Sequence, residues 1–242
     1  MFDVKREAVI STPRGAFRYE KRFLYVGIKK IDREKAFENL KELVSLLDRL
    51  GIKSGPVFGT LLGIVRENDF IEWDEDIDMY ILKEQEDLFR SALWDLRSAG
   101  FELVRYDRRG LYSLMKNGEY IDFYILRKAS ENVRTTGASF MFEKYIRETR
   151  PYDFKGILLQ IPADCEEYLE FTYGDWRTPR KYADFNMSKW KIRLLKAQDA
   201  VKSSLPDKLY SCLIKRHHKK DLKAFIAKCE AKGLPVDEGI RL

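Results

Sequence analysis

The fold is decided by the stretch FGTLLGIVRENDFIEWDEDIDMYIL, residues 58–82, which sets a cluster of acids beside an apolar run. If a strand begins near Asp74, successive side chains point to opposite faces of the sheet. Asp74, Asp76 and Asp78 then share one face, and most of the apolar residues take the other. The pattern predicts a strand whose apolar face packs against a helix and whose acidic face lines a cleft.

The aspartates of this stretch predict a metal site. Same-face positions on a strand lie about 7 Å apart, so buried carboxylates there repel one another unless a cation lies between them. Mg²⁺ binds one or two carboxylates and completes its octahedron with water and phosphate oxygens, and Mn²⁺ favours the same ligands. No His or Cys stands within residues 58–82, which argues against zinc. We expect Mg²⁺, or Mn²⁺, at Asp76 and Asp78, with Asp74 as a further ligand.

Another acid, Asp122, lies in EYIDFYIL, residues 119–126. Alternation places it on one face with Tyr120 and Tyr124 and the apolar residues on the other. If this strand lies beside the acidic one, Asp122 completes the metal site or takes the proton of an attacking hydroxyl. The alternative is an ordinary exposed strand acid.

Gly59 and Thr60 stand where a predicted strand turns into a short helix. A helix N-terminus offers free backbone N–H groups and a positive dipole end to a phosphate. Arg66, near the end of that helix, carries a guanidinium that can form two hydrogen bonds to the same anion. We expect these three residues to bind a phosphate. Two structural alternatives stay open, namely Thr60 as a helix N-cap and Arg66 in an ion pair with a neighbouring acid.

Apolar spacing elsewhere completes the predicted fold. Periodicity predicts helices over residues 32–50 and 84–98, and an Asn-Gly pair at 117–118 predicts a hairpin between antiparallel strands. The expected fold class is α/β (α+β), with a mixed sheet, flanking helices and a helical C-terminal region. We expect one domain over residues 1–185 and a basic helical extension over residues 186–242.

Charge is uneven along the 242 residues, whose net charge is +6. The basic C-terminal part suits an anionic membrane surface, a nucleic acid or a phosphate-rich substrate, and a solvated helix face is the alternative. His217 and His218 lie in this part and are predicted to be exposed. The chain shows no run of about 18 to 20 apolar residues and no apolar signal-peptide core. We therefore expect a cytoplasmic location, at the inner face of the membrane if the basic part contacts lipid.

Three segments carry a family resemblance. The run GTLLGIVRENDFIEWDEDIDM, residues 59–79, resembles the signature of the LicD family, which includes bacterial phosphocholine transferases and fukutin-related ribitol-phosphate transferases. YIDFYIL, residues 120–126, and IPADCEEYLEFTYGDWRTP, residues 161–179, are similar to later motifs of that family. The resemblance extends over about residues 50–180, in the expected order. Glu72 and Glu75 depart from the proline and the aspartate that the family often has at these positions.

The resemblance implies a nucleotidyltransferase-like fold and a metal-dependent enzyme. Such an enzyme moves an alcohol phosphate, such as phosphocholine, ribitol phosphate or glycerol phosphate, from a CDP-linked donor to a sugar hydroxyl. By this resemblance, Asp76 and Asp78 correspond to the family's metal-binding pair, and Asp74 to the acid that precedes it. Asp122 corresponds to the family's later acid. Gly59 and Thr60 correspond to the segment that approaches the donor phosphates.

The implied acceptor is a cell-surface glycan of a capsule or teichoic acid, or a lipid-linked glycan. Two alternatives stay open. The same acids could serve a nucleotidyltransferase that adds a nucleoside monophosphate to a small molecule or RNA. A non-catalytic module that binds nucleic acid through the basic C-terminal part is less favoured.

Overall fold

The computed structural model describes residues 6–24, 29–180, 188–237 and 239–240. Its strands are, in chain order, β1 Arg6–Thr12, β2 Gly15–Lys21, β3 Ser54–Pro56, β4 Ile77–Leu82, β5 Glu102–Asp107, β6 Leu111–Lys116, β7 Glu119–Lys128, β8 Val133–Thr135, β9 Phe140–Phe142, β10 Thr149–Phe154 and β11 Ile157–Pro162. Its helices are α1 Arg33–Arg49, α2 Phe58–Glu67, α3 Glu86–Ser98, α4 Lys144–Arg147, α5 Cys165–Tyr173, α6 Lys189–Ser204 and α7 Asp207–Ala231, with a 3-10 turn at Lys83–Gln85. The expected boundary between residues 185 and 186 lies outside the described residues.

The central sheet is mixed. Its strands follow the order β3-β4-β7-β6-β5, and β8 and β9 extend it from the end of β7. β4 and β7 run parallel, whereas the other strand pairs of this sheet run antiparallel. Two further hairpins are formed by β1 with β2 and by β10 with β11. A mixed sheet with flanking helices confirms the predicted fold class.

The hairpin of β6 and β7 forms at the predicted Asn-Gly turn. Asn117 has a φ of 53° and Gly118 a φ of 82°, the two left-handed positions that a tight hairpin turn of type I′ requires. The turn fixes the register of the two strands, in which Ser113 lies opposite Asp122. Between β5 and β6 the register shifts near Arg105, which then lies opposite Ser113.

Alternation sorts the side chains of β4 as predicted. Ile77, Met79 and Ile81 pack in the main core, whereas Tyr80 belongs to a second apolar cluster that also holds Val57. Both faces of β4 are therefore covered. The acid on this strand lies inside the protein, where its charge is poorly hydrated.

Helix α1 covers the main core. Asp32 caps its N-terminus by accepting a hydrogen bond from the Lys35 backbone N–H at 3.3 Å. Its own residues Leu40, Leu43 and Leu47 recur at helical spacing and are buried in that core. Within the described part of the chain, none of the helices is both long enough and apolar enough to cross a bilayer.

Asp74 does not lie on the strand, which begins at Ile77. Its backbone N–H donates to the Ile71 carbonyl at 3.1 Å, and its carbonyl accepts from the Ile31 N–H at 2.9 Å. These bonds hold a turn, so the expectation of a strand that begins near Asp74 is wrong. Period-two alternation consequently cannot account for where the Asp74 carboxylate points.

Helix α7 packs against the rest of the protein through Phe225 and Cys229, both buried. His218 is also buried, with its Nε2 at 2.8 Å from Thr135 Oγ1 and its ring stacked on Phe140 at 4.9 Å between centroids. The prediction that His218 is exposed is wrong, while His217 is exposed as predicted. Adjacent helix positions are about 100° apart, so one histidine can face the protein and the other the solvent.

His218 should make the stability of the protein decrease in mild acid. Burial and the charges of Arg127 and Arg109 lower its pKa, against the opposing charge of Asp221, so the folded state holds it neutral. The unfolded chain binds the proton near a pH of about 6.5, so the contribution of His218 to the free energy of unfolding is lost as the pH falls below that value.

This effect can be measured from urea midpoints between about pH 7.5 and 5.5. The fall in midpoint should be smaller in His218→Gln than in the wild type, and unchanged in the matched variant His217→Gln. The same fall in both variants would contradict the assignment.

Candidate active site

Asp78 and Asp122 lie side by side in the central sheet. They are register partners in the parallel pair of β4 and β7, so their side chains leave the same face of adjacent strands. Both side chains are buried. The adjacency expected for the two acidic strands is therefore confirmed.

The N-terminus of α2 is hydrogen bonded to the same strand residue. Val57 N–H donates to the Asp78 carbonyl at 3.0 Å, and Asp78 N–H donates to Thr60 Oγ1 at 2.7 Å. The Gly59 N–H donates to the Asp78 side chain. Two residues predicted to bind phosphate, Gly59 and Thr60, thus contact Asp78 and fix its position.

The turn into α2 has an unusual backbone. Phe58 has a φ of 49°, a left-handed conformation that a bulky residue rarely adopts and that costs on the order of 1 kcal/mol. Its ring packs edge-on against Tyr124 at 5.1 Å between centroids. Such strain is concentrated at functional sites, and here it directly precedes the residue whose N–H meets Asp78.

Gly59 leaves no room for a side chain while Asp74 keeps its position. A Cβ at this position would lie 2.6 Å from Asp74 Oδ2 and 3.8 Å from Asp78 Oδ2. The carboxylates of Asp74 and Asp78 therefore approach the same point from two directions. Although Asp74 lies outside the strand, its turn brings its carboxylate close to Gly59 and to the carboxylate of Asp78.

The clustered acids have raised pKa values. Burial, followed by the charges of Asp78 and Asp122, raises the pKa of Asp76. Burial and the charges of Asp74 and Asp122 raise the pKa of Asp78, against hydrogen bonds from Tyr124 and Gly59 that lower it. Burial raises the pKa of Asp74 to about 6. Each ionised acid makes it harder to ionise its neighbours.

Asp122 has two partners that the sequence analysis missed. Ser113 Oγ donates to Asp122 Oδ1 at 2.5 Å, and the Arg105 guanidinium forms an ion pair with Oδ2. Arg105 Nε also donates to Ser113 Oγ at 2.8 Å. Burial raises the pKa of Asp122, and these two donors oppose that rise. The hairpin turn at 117–118 was a signal that could have found Ser113, since it sets Ser113 opposite Asp122.

Arg66 forms an ion pair, which is one of the two interpretations left open above. Its Nη2 lies 2.5 Å from Glu67 Oε1, and its Nη1 donates to the Trp176 carbonyl at 3.2 Å. The guanidinium still lines the cleft beside the acids. Its predicted contact with donor phosphate stays a prediction.

A cleft of about 390 Å³ opens beside the acids. Two sequence segments surround it, the acidic stretch and the YGDWRTP segment at 173–179, together with Arg180. The residues lining it are Gly59, Leu62, Arg66, Ile71, Trp73, Asp74, Asp78, Thr172, Tyr173, Asp175, Trp176, Thr178 and Arg180. Asp76 and Asp122 are described residues that are not part of this lining, and Asp122 lies next to Asp78 on the neighbouring strand.

The donor set fits magnesium or manganese. Carboxylate oxygens are the ligands that these ions prefer, and a cation would favour the ionised forms of the crowded acids. Within the described residues, no three or more His, Cys, Asp or Glu side chains form a ready metal-binding group. Mg²⁺ binds through one or two carboxylates together with water and substrate phosphate, so a pair of aspartates is sufficient, and Asp76 and Asp78 as that pair stay a prediction. Asp74 as a further ligand stays a prediction.

The family resemblance is confirmed by a family model. Residues 52–164 match the model described as LicD/FKTN/FKRP, nucleotidyltransferase domain. These residues belong to the LicD family. This LicD segment, residues 52–164, contains Gly59, Thr60 and the four aspartates of the site, namely Asp74, Asp76, Asp78 and Asp122. The YGDWRTP segment at 173–179 lies beyond the match.

Two curated proteins are similar to the chain. Protein RP689 of Rickettsia prowazekii (strain Madrid E) is 26% identical over 148 residues, which cover 58% of this chain and 54% of that protein. Protein RT0683 of Rickettsia typhi (strain ATCC VR-144 / Wilmington) is 27% identical over 156 residues, 61% of this chain and 49% of that protein. The chain thus spans about half the length of each relative.

Among solved structures, the chain is similar to a solution structure of the antibiotic-resistance factor ANT(2'')-Ia. The TM-score is 0.42 at 13% identity, over 77% of this chain and 99% of that one. A likeness at this level does not bear on the chemistry of the LicD segment.

Gly59→Ala should displace the acids without unfolding the protein. The new methyl group would meet the end of the Asp74 side chain, which can rotate away, while alanine favours the helix by about 1 kcal/mol. Gly63→Ala is the matched variant, because its Cβ would lie 2.7 Å from the Asp69 carbonyl and 2.9 Å from the Ile71 N, both of them backbone atoms.

We expect Gly59→Ala to keep the thermal midpoint of the wild type and Gly63→Ala to lose about 1 to 3 kcal/mol of stability. Calorimetry measures both, and NMR of side-chain carboxyl carbons reports the Asp74 environment. Loss of stability in Gly59→Ala, with an unchanged Asp74 signal, would contradict the geometry.

Proposed function

We propose that the chain is a metal-dependent phosphotransferase. It would move an alcohol phosphate from a CDP-linked donor to a sugar hydroxyl of a cell-surface glycan, forming a phosphodiester. The observation that supports this most is the register pairing of Asp78 with Asp122 beside a strained helix N-terminus. The LicD match supplies the transferase family, and the donor and acceptor are our proposal.

In this proposal Asp76 and Asp78 hold Mg²⁺ or Mn²⁺, and Asp74 assists them. The bound ion would neutralise the donor diphosphate and stabilise the departing CMP. The chain would orient the donor by the α2 N-terminus at Gly59 and by the Arg66 guanidinium in the cleft. Thr60 acts through Asp78, whose backbone it holds.

Asp122 is proposed as the base. The acceptor hydroxyl oxygen bonds to the phosphorus distal to cytidine, the bond from that phosphorus to the CMP oxygen breaks, and the hydroxyl proton passes to Asp122. A raised pKa makes a carboxylate a better proton acceptor near neutral pH. Arg105 and Ser113 hold the carboxylate in place through the contacts described above.

The acceptor is proposed to be a glycan of a capsule or teichoic acid, or a lipid-linked precursor of one. A CDP-linked donor is a cytoplasmic metabolite, so we propose a cytoplasmic site of action at the inner face of the membrane. Nucleic acid is not proposed as a partner.

One alternative is favoured by the family description itself, which names a nucleotidyltransferase domain. In that case the same acids would transfer a nucleoside monophosphate to a small molecule or RNA and release pyrophosphate. The non-catalytic module that binds nucleic acid instead requires tight binding that does not depend on the acids.

Product analysis tests the proposal. The full chain is incubated with Mg²⁺, a glycan acceptor and CDP-choline, CDP-ribitol or CDP-glycerol, and CMP is followed by ³¹P NMR. We expect CMP release with one donor, lowered by about 10²- to 10⁴-fold in Asp122→Asn, which lacks the base. Asp78→Asn should also be inactive, and Asp48→Asn, an exposed acid on α1, should match the wild type.

Two results would replace the proposal. Pyrophosphate from a nucleoside triphosphate, without CMP from any donor, would favour the nucleotidyltransferase. Absence of turnover, with tight RNA binding that survives Asp76→Asn and Asp78→Asn, would favour the non-catalytic module.

Metal binding should stabilise the folded protein independently of turnover. An ion bound only by the folded state adds about 2.7 kcal/mol at 100 times its Kd. Because the crowded acids repel one another, Asp76→Asn/Asp78→Asn should raise the thermal midpoint of the metal-free protein and abolish its rise with Mn²⁺. Asp48→Asn should keep the rise. A rise that persists in the double variant would rule out this pair as the metal ligands.

A further inference from the structure

Helix α6 has a stripe of apolar side chains that are exposed to solvent. Trp190 is 71% exposed, Val201 60% and Leu194 42%. With Ala197, these positions repeat at the spacing of one helix face and fall within about 60° of arc. Side chains of this size rarely stand together in water unless they meet a partner.

The opposite side of α6 already faces the protein. Ile192 and Leu195 are half-buried, and they lie roughly across the helix from the stripe. The ammonium of Lys196 lies over the Phe23 ring at 5.2 Å, and the Leu205 carbonyl just after the helix accepts from Arg108 at 3.0 Å. The helix is therefore held by one face and leaves the other available.

Exposed cations border the stripe on both sides. Lys191 and Lys202 lie along one edge, and Lys189 and Arg193 along the other. Apolar residues between two rows of Lys or Arg are typical of a helix that lies in the plane of a membrane surface. The long side chains can then reach up to anionic headgroups while their stems stay near the lipid.

Helix α7 also exposes apolar side chains next to cationic ones. Leu209 and Leu213 are exposed beside an open groove whose lining includes Lys208, Lys215, Arg216, Lys219, Lys220 and Lys223. Together α6 and α7 contain 12 Lys or Arg and four Asp or Glu. This excess of positive charge favours an anionic partner surface.

We propose that α6, with the first turns of α7, docks on a bilayer that contains anionic lipid. A nucleic acid would match the charge but would gain little from burying Leu194 and Val201. A second copy of the chain would bring identical cations face to face across the stripe, which is repulsive. The proposal concerns where the protein resides and is independent of the reaction it catalyses.

Co-sedimentation of the full chain with vesicles tests the proposal. We expect binding to phosphatidylglycerol vesicles at least about tenfold tighter than to phosphatidylcholine vesicles, and weaker at high salt. Leu194→Gln/Val201→Gln should weaken binding at least about tenfold, because two apolar side chains no longer enter the lipid. Val9→Gln/Leu158→Gln is the matched control, since these residues are also exposed, at 51% and 67%, but lie on β1 and β11.

Charge and depth are tested by further variants. Lys191→Gln/Arg193→Gln should weaken binding to phosphatidylglycerol, whereas Lys41→Gln/Arg49→Gln, exposed cations on α1, should not. The tryptophan emission of the wild type should shift to the blue on these vesicles, and Trp190→Phe should abolish that shift. Circular dichroism melts establish that each variant folds.

Several results would overturn the proposal. One is the absence of binding to phosphatidylglycerol vesicles. Another is binding that Leu194→Gln/Val201→Gln leaves unchanged. RNA binding without vesicle binding would assign the surface to nucleic acid, and a dimer in sedimentation velocity that the same double variant dissociates would assign it to self-association.

Discussion

The parallel pairing of β4 with β7 is the constraint on which the site depends. It sets Asp78 beside Asp122 in a sheet covered on both faces, where neither carboxylate is well hydrated. An arrangement of this kind is unfavourable in isolation, because like charges in a buried site raise the free energy of the folded state. The surrounding contacts are best understood as responses to that cost.

Two kinds of response are visible. Asp122 is neutralised within the chain, by the guanidinium of Arg105 and the hydroxyl of Ser113. Burial and the neighbouring acids raise the pKa of Asp76, and at Asp78 the hydrogen bonds from Tyr124 and Gly59 oppose the effect of burial. Asp122 thus has a cation of the protein directly beside it, whereas the proposed Mg²⁺ or Mn²⁺ would neutralise Asp76 and Asp78.

Much of this arrangement could be predicted from local patterns. Alternation along residues 77–82 separated the core side chains from the acid, and the Asn-Gly turn at 117–118 fixed the register that puts Ser113 opposite Asp122. Both rules act over a few residues and depend little on the rest of the fold.

The missed features depend on distant contacts. The register shift that brings Arg105 into the site has no signature in a short strand. Asp74 was assigned to the strand because its residue type suited the pattern, but its backbone bonds to Ile71 and Ile31 form a turn. His218 was assigned to the surface because its neighbours are cationic, yet the docking of α7 buries it against Phe140. In each case a tertiary contact overrode the local preference.

The closeness of Gly59 to Asp74 also limits how this protein can change over generations. A side chain at position 59 is accommodated only when the Asp74 carboxylate rotates away, so it disturbs the acid cluster even though the fold is retained. A substitution at 74 alters the same cluster while the turn at 59 stays intact. Selection that preserves the acid cluster therefore acts on both positions at once, and a change at one alters which changes at the other are tolerated.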